Sequence, residues 1–344
     1  MGTHQRWRKA SVSLLLVGIL GCGAAIISQP KVFSQAKIGE DRFVQIGDHT
    51  IHFVEVGEGP AIVLIPGAFT TYRTWDRMLP DLASSHRVLA VDYVGVGDSD
   101  KPEQGFRYTI EEQADVMAEM IGTLRLSSVN VVGASYGASI ALNLAARYPE
   151  LLTKVVCIEG GALITPEVLN FNKLGAVIEW PIVGDITWGF MKSGLFDEIT
   201  AKSMMGDAWG KLTPEAHDEI TRVVSANLKT TSRSSWNNIY HAITTRIDFI
   251  QALVDTRVPI LYFYGEDSKY RAVVDMNIKN FKAITLPVEV VGVKGGTHEL
   301  HLQYPHEVAR IILRFLGREP GQHMMVDIFE GPETPQESGP VHIP

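Results

Sequence analysis

Two hydrophobic patterns alternate along the chain from residue 41 onward. Short, nearly unbroken apolar runs occur at "AIVLIPG" (61–67), "RVLAVDYVG" (87–95), "SVNVVGAS" (128–135), "TKVVCIEGG" (153–161), "VPILYFYGED" (258–267) and "VEVVGVKGG" (288–296). Between them lie stretches with apolar positions at helical spacing, one starting near Tyr72 and others over 109–124, 138–149, 270–283 and 306–316. Runs without polar alternation belong to strands buried on both faces, and the amphipathic helices between them supply the cover. With a hairpin over "FVQIG" and "TIHFVEVG" (50–57), the pattern predicts an α/β fold: a mostly parallel, doubly wound sheet of about eight strands.

The alternation stops between 162 and 246. This stretch is rich in Trp, Met and Phe, breaks into short helix-like pieces and shows no β run. It predicts a helical lid inserted over the C-terminal edge of the sheet, where open α/β sheets take their ligands. The expected organisation is a leader over 1–30, a core in two parts (41–161 and 247–317) around the lid at 162–246, and a loose Pro/Gly/Glu-rich tail over 318–344.

The leader changes the picture of where the protein works. Arg6, Arg8 and Lys9 precede "SVSLLLVGILGCGAAII" (11–27), a charged n-region before an apolar h-region, as in a secretory signal. Its length also stands at the short edge of the roughly 17–25 residues that span a bilayer, so a retained anchor is the rival reading. "ILGC" resembles a bacterial lipobox, which would make Cys22 a lipidated N-terminus. Export or membrane anchoring is the expectation.

The net charge of −8, without a Lys/Arg block, argues against a nucleic-acid partner, because phosphate contacts need clustered cations. A small apolar or acyl substrate suits the chain better. Its two cysteines, Cys22 and Cys157, supply neither a disulfide framework nor a thiolate metal site, and nothing in the sequence calls for a metal or cofactor. Cys157 reads as a small core residue.

Chemistry concentrates at Gly133-Ala134-Ser135-Tyr136-Gly137. A serine between a buried strand and a helix, flanked by glycines, fits a nucleophile elbow, a strained turn that exposes Oγ. Further downstream, "GGTHELHLQYPHEVARIILRFL" (295–316) places His298 seven residues before Pro305. "VDYVGVGDSDKP" (91–102) and "IPGAFTTYRTW" (65–75) complete the set. These motifs, in the order serine, acid, histidine, resemble the α/β-hydrolases of the lid-bearing, single-domain kind over about 41–317.

The resemblance implies Ser135 as nucleophile and His298 as general base, with an oxyanion hole from the main-chain amides of Ala68, beside Phe69, and Tyr136. His301 and His306 are expected to be structural or solvated. Pro66 departs from the family, which has His there. The acid has two candidates. The family usually puts Asp three residues after the strand-seven glycine, but that position is Ser268 and the nearest acid, Asp267, falls one earlier. Some subfamilies place the acid after strand six, where Glu159 stands. Loop position favours Asp267; either carboxylate could orient the imidazole.

A serine at the elbow argues against dehalogenase and epoxide-hydrolase chemistry, which uses aspartate there. Ester hydrolysis leads, with C–C bond hydrolysis and cofactor-free perhydrolysis open to the same residues. A ligand-binding protein without turnover is the rival from another class, since fold alone does not fix function. The substrate and the oligomeric state are not legible.

Overall fold

A computed structural model describes residues 38–169, 177–318 and 328–330. The leader and Cys22 lie outside the described residues. The main sheet contains β1 (Glu40–Ile46), β2 (His49–Val56), β3 (Ala61–Ile65), β4 (Arg87–Asp92), β5 (Val129–Ala134) and β6 (Leu152–Ile158). A two-stranded ribbon, β7 (Leu163–Ile164) and β8 (Ile247–Asp248), follows in chain order, and β9 (Ile260–Gly265), β10 (Val288–Lys294) and β11 (Ile328–Glu330) complete the sheet. Its order is β1-β2-β4-β3-β5-β6-β9-β10-β11. β1 and β2 pair antiparallel, as do β2 and β4, and every later pairing is parallel. The expected doubly wound sheet is present. It gains one strand from the segment expected to be a loose tail, because Ile328–Glu330 pair with Gly292–Lys294.

The central strands are buried on both sides, which is why their sequence shows no alternation. The two-residue period is still visible in the packing. Val63 and Ile65 of β3 join one apolar core while Ile62 and Leu64 join the other; in β9, Ile260 and Tyr262 face the first, Leu261 and Phe263 the second. The first core is covered by the helices Ile110–Thr123 and Tyr136–Arg147, with Val274 and Phe281 of Arg271–Ala283; the second is covered by Leu79–Ala83 and Pro305–Leu316. We number the helices α1 (Leu79–Ala83), α2 (Ile110–Thr123), α3 (Tyr136–Arg147), α4 (Pro166–Leu169), α5 (Val183–Lys192), α6 (Asp197–Met205), α7 (Pro214–Thr230), α8 (Arg233–Thr244), α9 (Arg271–Ala283), α10 (Leu300–Gln303) and α11 (Pro305–Leu316). The stretch after Tyr72, expected to be one helix, is a short 3-10 turn (Tyr72–Trp75) followed by α1.

Helices α4 to α8 occupy the stretch between β7 and β8. The ribbon at its base brings Leu163 opposite Asp248 and Ile164 opposite Ile247, so the chain leaves and re-enters the core at one place. Thr213 and Ser232 start α7 and α8 by accepting hydrogen bonds from Ala216 N and Ser235 N. Ala201, Met205, Trp209, Ile220, Val224 and Leu228 pack with Leu302 of α10, so the insertion's small core is closed by a residue of the main body.

Candidate active site

The parallel pair β5 and β6 sets the geometry. Ala134 is in register with Ile158, and the next residue on each strand is Ser135 and Glu159. Both leave the sheet at φ +51°, a region that side chains other than glycine's seldom occupy. Ser135 has ψ −115° and precedes α3 directly, while its amide donates to Ile158 O at 2.7 Å. Strand, strained serine and helix follow one another in the geometry of a strand–turn–helix elbow. The flanking glycines are needed for close approach: a Cβ on Gly137 would lie 2.2 Å from Ile65 O, and one on Gly133 2.2 Å from Gly137 O.

His298 follows β10 on a turn that opens with Gly295 at φ +70°. Gln303 of α10 holds this turn: its Oε1 accepts from Thr297 N at 2.9 Å and its Nε2 donates to Gly295 O at 2.9 Å. The edge of Tyr270 packs on the imidazole, with ring centroids 4.6 Å apart. His298 Nδ1 lies 2.7 Å from Glu159 Oε2. The same oxygen accepts from Ser268 Oγ at 2.6 Å, and Glu159 Oε1 accepts from Gly265 N at 2.6 Å. A buried carboxylate with three such partners is fixed in orientation.

The structure therefore separates the two candidate acids and corrects the preference for Asp267. The turn after β9 brings Gly265 N and Ser268 Oγ to Glu159, and Asp267 spans it by donating its own amide to Gly296 O at 2.9 Å. Asp267 bears on Tyr304, whose pKa is raised by burial and then by that nearby carboxylate. Ser268, standing where the family usually has Asp, donates a hydrogen bond to Glu159 on the neighbouring strand end. For His298, burial disfavours the charged ring, but the hydrogen bond and charge of Glu159 outweigh it and raise the pKa. The other two histidines make their contacts elsewhere. His301 is buried with Nε2 2.7 Å from Thr74 Oγ1, and burial holds it neutral with a pKa near 3. His306 is exposed and pairs with Asp81 at 2.7 Å.

Ala68 and Tyr136 lie on the two segments that meet at Ser135. Tyr136 is the first residue of α3, where an amide has no partner within the helix. Ala68 belongs to the loop after β3, and a Cβ on the preceding Gly67 would sit 3.5 Å from Ser135 Cβ. The next residue, Phe69, has φ +63°, and its amide donates to Tyr93 Oη at 3.2 Å while that hydroxyl donates to Gly67 O at 3.0 Å. Tyr93 thus braces the loop that lacks the family's histidine at Pro66.

Sequence reasoning missed Tyr93, Ser268, Gln303 and the grip of the insertion on the same loop. Asn227 Oδ1 of α7 accepts from both Thr71 N (3.0 Å) and Thr71 Oγ1 (2.7 Å), and Trp236 of α8 stacks on Phe69 at 3.9 Å between centroids. Among the described residues, His52, Asp92 and Asp98 offer metal-ligand atoms within 4.8 Å of one another. Hydrogen bonds already engage that group: His52 Nδ1 with Asp92 Oδ2 (2.7 Å), His52 Nε2 with Asp41 (3.1 Å), and Asp92 Oδ1 with Tyr72 N (2.8 Å).

The sheet order, the elbow and the histidine turn define a hydrolase of the α/β class. The chain belongs to the alpha/beta hydrolase fold family, whose model matches residues 60–285. It is 28% identical over 286 residues to 2-(acetamidomethylene)succinate hydrolase of Mesorhizobium japonicum, covering 82% of this chain and 98% of that one. It is 32% identical over 124 residues to 2-hydroxy-6-oxo-2,4-heptadienoate hydrolase of Pseudomonas putida, covering 35% of this chain and 44% of the relative. The enol-lactonase of Burkholderia xenovorans superposes with a TM-score of 0.66 at 19% identity, covering 80% of this chain and all of the lactonase, a likeness of fold.

Proposed function

We propose that the protein is a serine hydrolase that cleaves an ester or related acyl bond through an acyl-enzyme, with Ser135 as nucleophile, His298 as base and Glu159 as the orienting acid. The observation that carries this reading is the 2.7 Å contact between His298 Nδ1 and Glu159, whose strand end adjoins that of Ser135. With its Nδ1 proton held by Glu159, His298 presents Nε2 as an acceptor. It takes the Ser135 proton as Oγ attacks the carbonyl carbon, and the amides of Ala68 and Tyr136 receive the charge that develops on oxygen. His298 then protonates the leaving group, and water repeats the sequence on the acyl-enzyme. The insertion acts as a lid whose aromatic Trp236 and Trp188 border the oxyanion loop through Phe69. These neighbours suit an apolar acyl group better than a charged one. The leader supports work outside the cytoplasm or at a membrane.

A second reading is favoured by the Pseudomonas putida relative, whose named substrate has a ketone and an enol but no ester; the same residues would then break a C–C bond. Labelling by a fluorophosphonate tests the shared chemistry. Wild type should label stoichiometrically and Ser135→Ala should not. An unlabelled wild type would favour a binding protein without turnover. Turnover of p-nitrophenyl esters against that of a vinylogous diketone then separates the two reactions.

A further inference from the structure

We propose that the outer face of the insertion seats on a lipid surface. Among the described residues, the large apolar side chains that stand exposed are, apart from Phe43 and Val254, confined to residues 180–199. Ile182, just before α5, and Ile186 and Phe190 within it follow one another at four-residue spacing and are 72%, 55% and 44% exposed, with Trp180 (55%) just ahead. Phe196 and Ile199 extend the patch onto α6 at 40% and 63% exposure. Scattered apolar residues are ordinary on a surface; a contiguous set of this kind marks an interaction site. Ile182 adds a second cost, since a β-branched residue at φ +64° is strained and here gains no burial in return.

A lipid surface is the occupant that the rest of the chain favours. The patch combines Trp, Phe and Ile, the side chains that enter the headgroup and acyl boundary. Its charges, Asp185, Lys192 and Glu198, carry no net positive excess, so the contact is apolar rather than a reading of an anionic partner. The sequence also carries the apolar stretch 11–27 behind three cations. No helix among the described residues is long and apolar enough to cross a membrane, so this face would lie on the bilayer rather than span it. Helix α5 also links that surface to the candidate site. Its buried Trp188 contacts Trp236 with ring centroids 5.6 Å apart, and Trp236 stacks on Phe69 of the loop beside Ser135.

The test uses the full chain carrying Cys22→Ser; Cys157 is buried, so a fluorophore can be placed at one new cysteine. Ile186→Cys, Ile199→Cys and, as an exposed control on the β1–β2 turn, Asp48→Cys are labelled with an environment-sensitive dye and mixed with phosphatidylcholine vesicles. Docking predicts a blue shift and several-fold stronger quenching by a bilayer-embedded nitroxide lipid at 186 and 199 than at 48. Adding Ile182→Asp and Phe190→Asp should return the signal at 199 to the control level while circular dichroism stays unchanged. Equal signals at all three positions on vesicle-bound protein would overturn the proposal, as would failure to bind vesicles. A blue shift without vesicles would also overturn it, pointing to a second copy if it depends on concentration and to the chain's own leader if it does not. None of these readouts needs turnover, so the result is independent of the hydrolase reading.

Discussion

At the scale of single residues, the site depends on two strand ends that leave the sheet in the same strained way. Ser135 and Glu159 share a positive φ on neighbouring strands, and His298 bridges from a third. Ser135 and His298 were legible as candidates because their neighbours are constrained by backbone sterics: glycines where a Cβ would collide, and a His at fixed distance from a helix-starting Pro. The carboxylate partner of His298 was not, because both candidates end apolar runs and only the path of the β9 turn decides which one meets His298. Ser268, one residue past Asp267, donates its hydroxyl to Glu159, a contact that a count along the loop does not disclose. Glu159→Gln is expected to lower kcat by about 10⁴ while Asp267→Asn costs less than tenfold. Steady-state kinetics on one ester decides it, and equal losses would sink the assignment. In whatever activity Glu159→Gln retains, the acid limb of kcat/KM should move to lower pH. The base must be neutral to act, and Glu159 is what raises its pKa above the level that burial alone would set.

At the scale of elements, the apolar runs foretold the central strands because each is buried on both faces. The insertion was legible only as a break in that rhythm. Its ribbon is too short to leave a periodic trace, and the contact that joins it to the site links Thr71 to Asn227, far apart in sequence and ordinary in composition. Asn227 is buried and satisfies two donors at once, so its truncation would leave Thr71 N and Oγ1 unpaired at about 1–3 kcal/mol for each lost partner. The next residue but one toward the N-terminus is Phe69, so slack in this loop reaches the Ala68 amide. Asn227→Ala should therefore reduce kcat about tenfold or more while KM changes less than threefold, because a small displacement of a positioned group weighs on the chemical step. A rise in KM alone would show that α7 serves binding rather than the position of the loop.

At the scale of the whole molecule, two buried histidines pull acid stability in opposite directions. The folded-state pKa of His298 is raised, so its contribution is complete below the unfolded value and is lost as pH rises through the folded one. His301 is depressed to about 3 from 6.5, so the unfolded chain takes up its proton first and the fold loses stability as pH falls from 6.5 toward 3. Replacing it by Gln, which can still bond Thr74, should flatten the fall in urea midpoint over that window; an unchanged slope would show that other groups control acid unfolding. The sheet itself ends differently on its two sides. At β1 the outermost strand shows Glu40, Asp41 and Arg42 to solvent, charges that discourage another strand from adding there. At the other margin β10 is covered by the short β11. Over Gly292–Lys294 the chain thus supplies its own terminator, and the main-chain donors and acceptors that would template a neighbour's strand there are already spoken for by Ile328–Glu330.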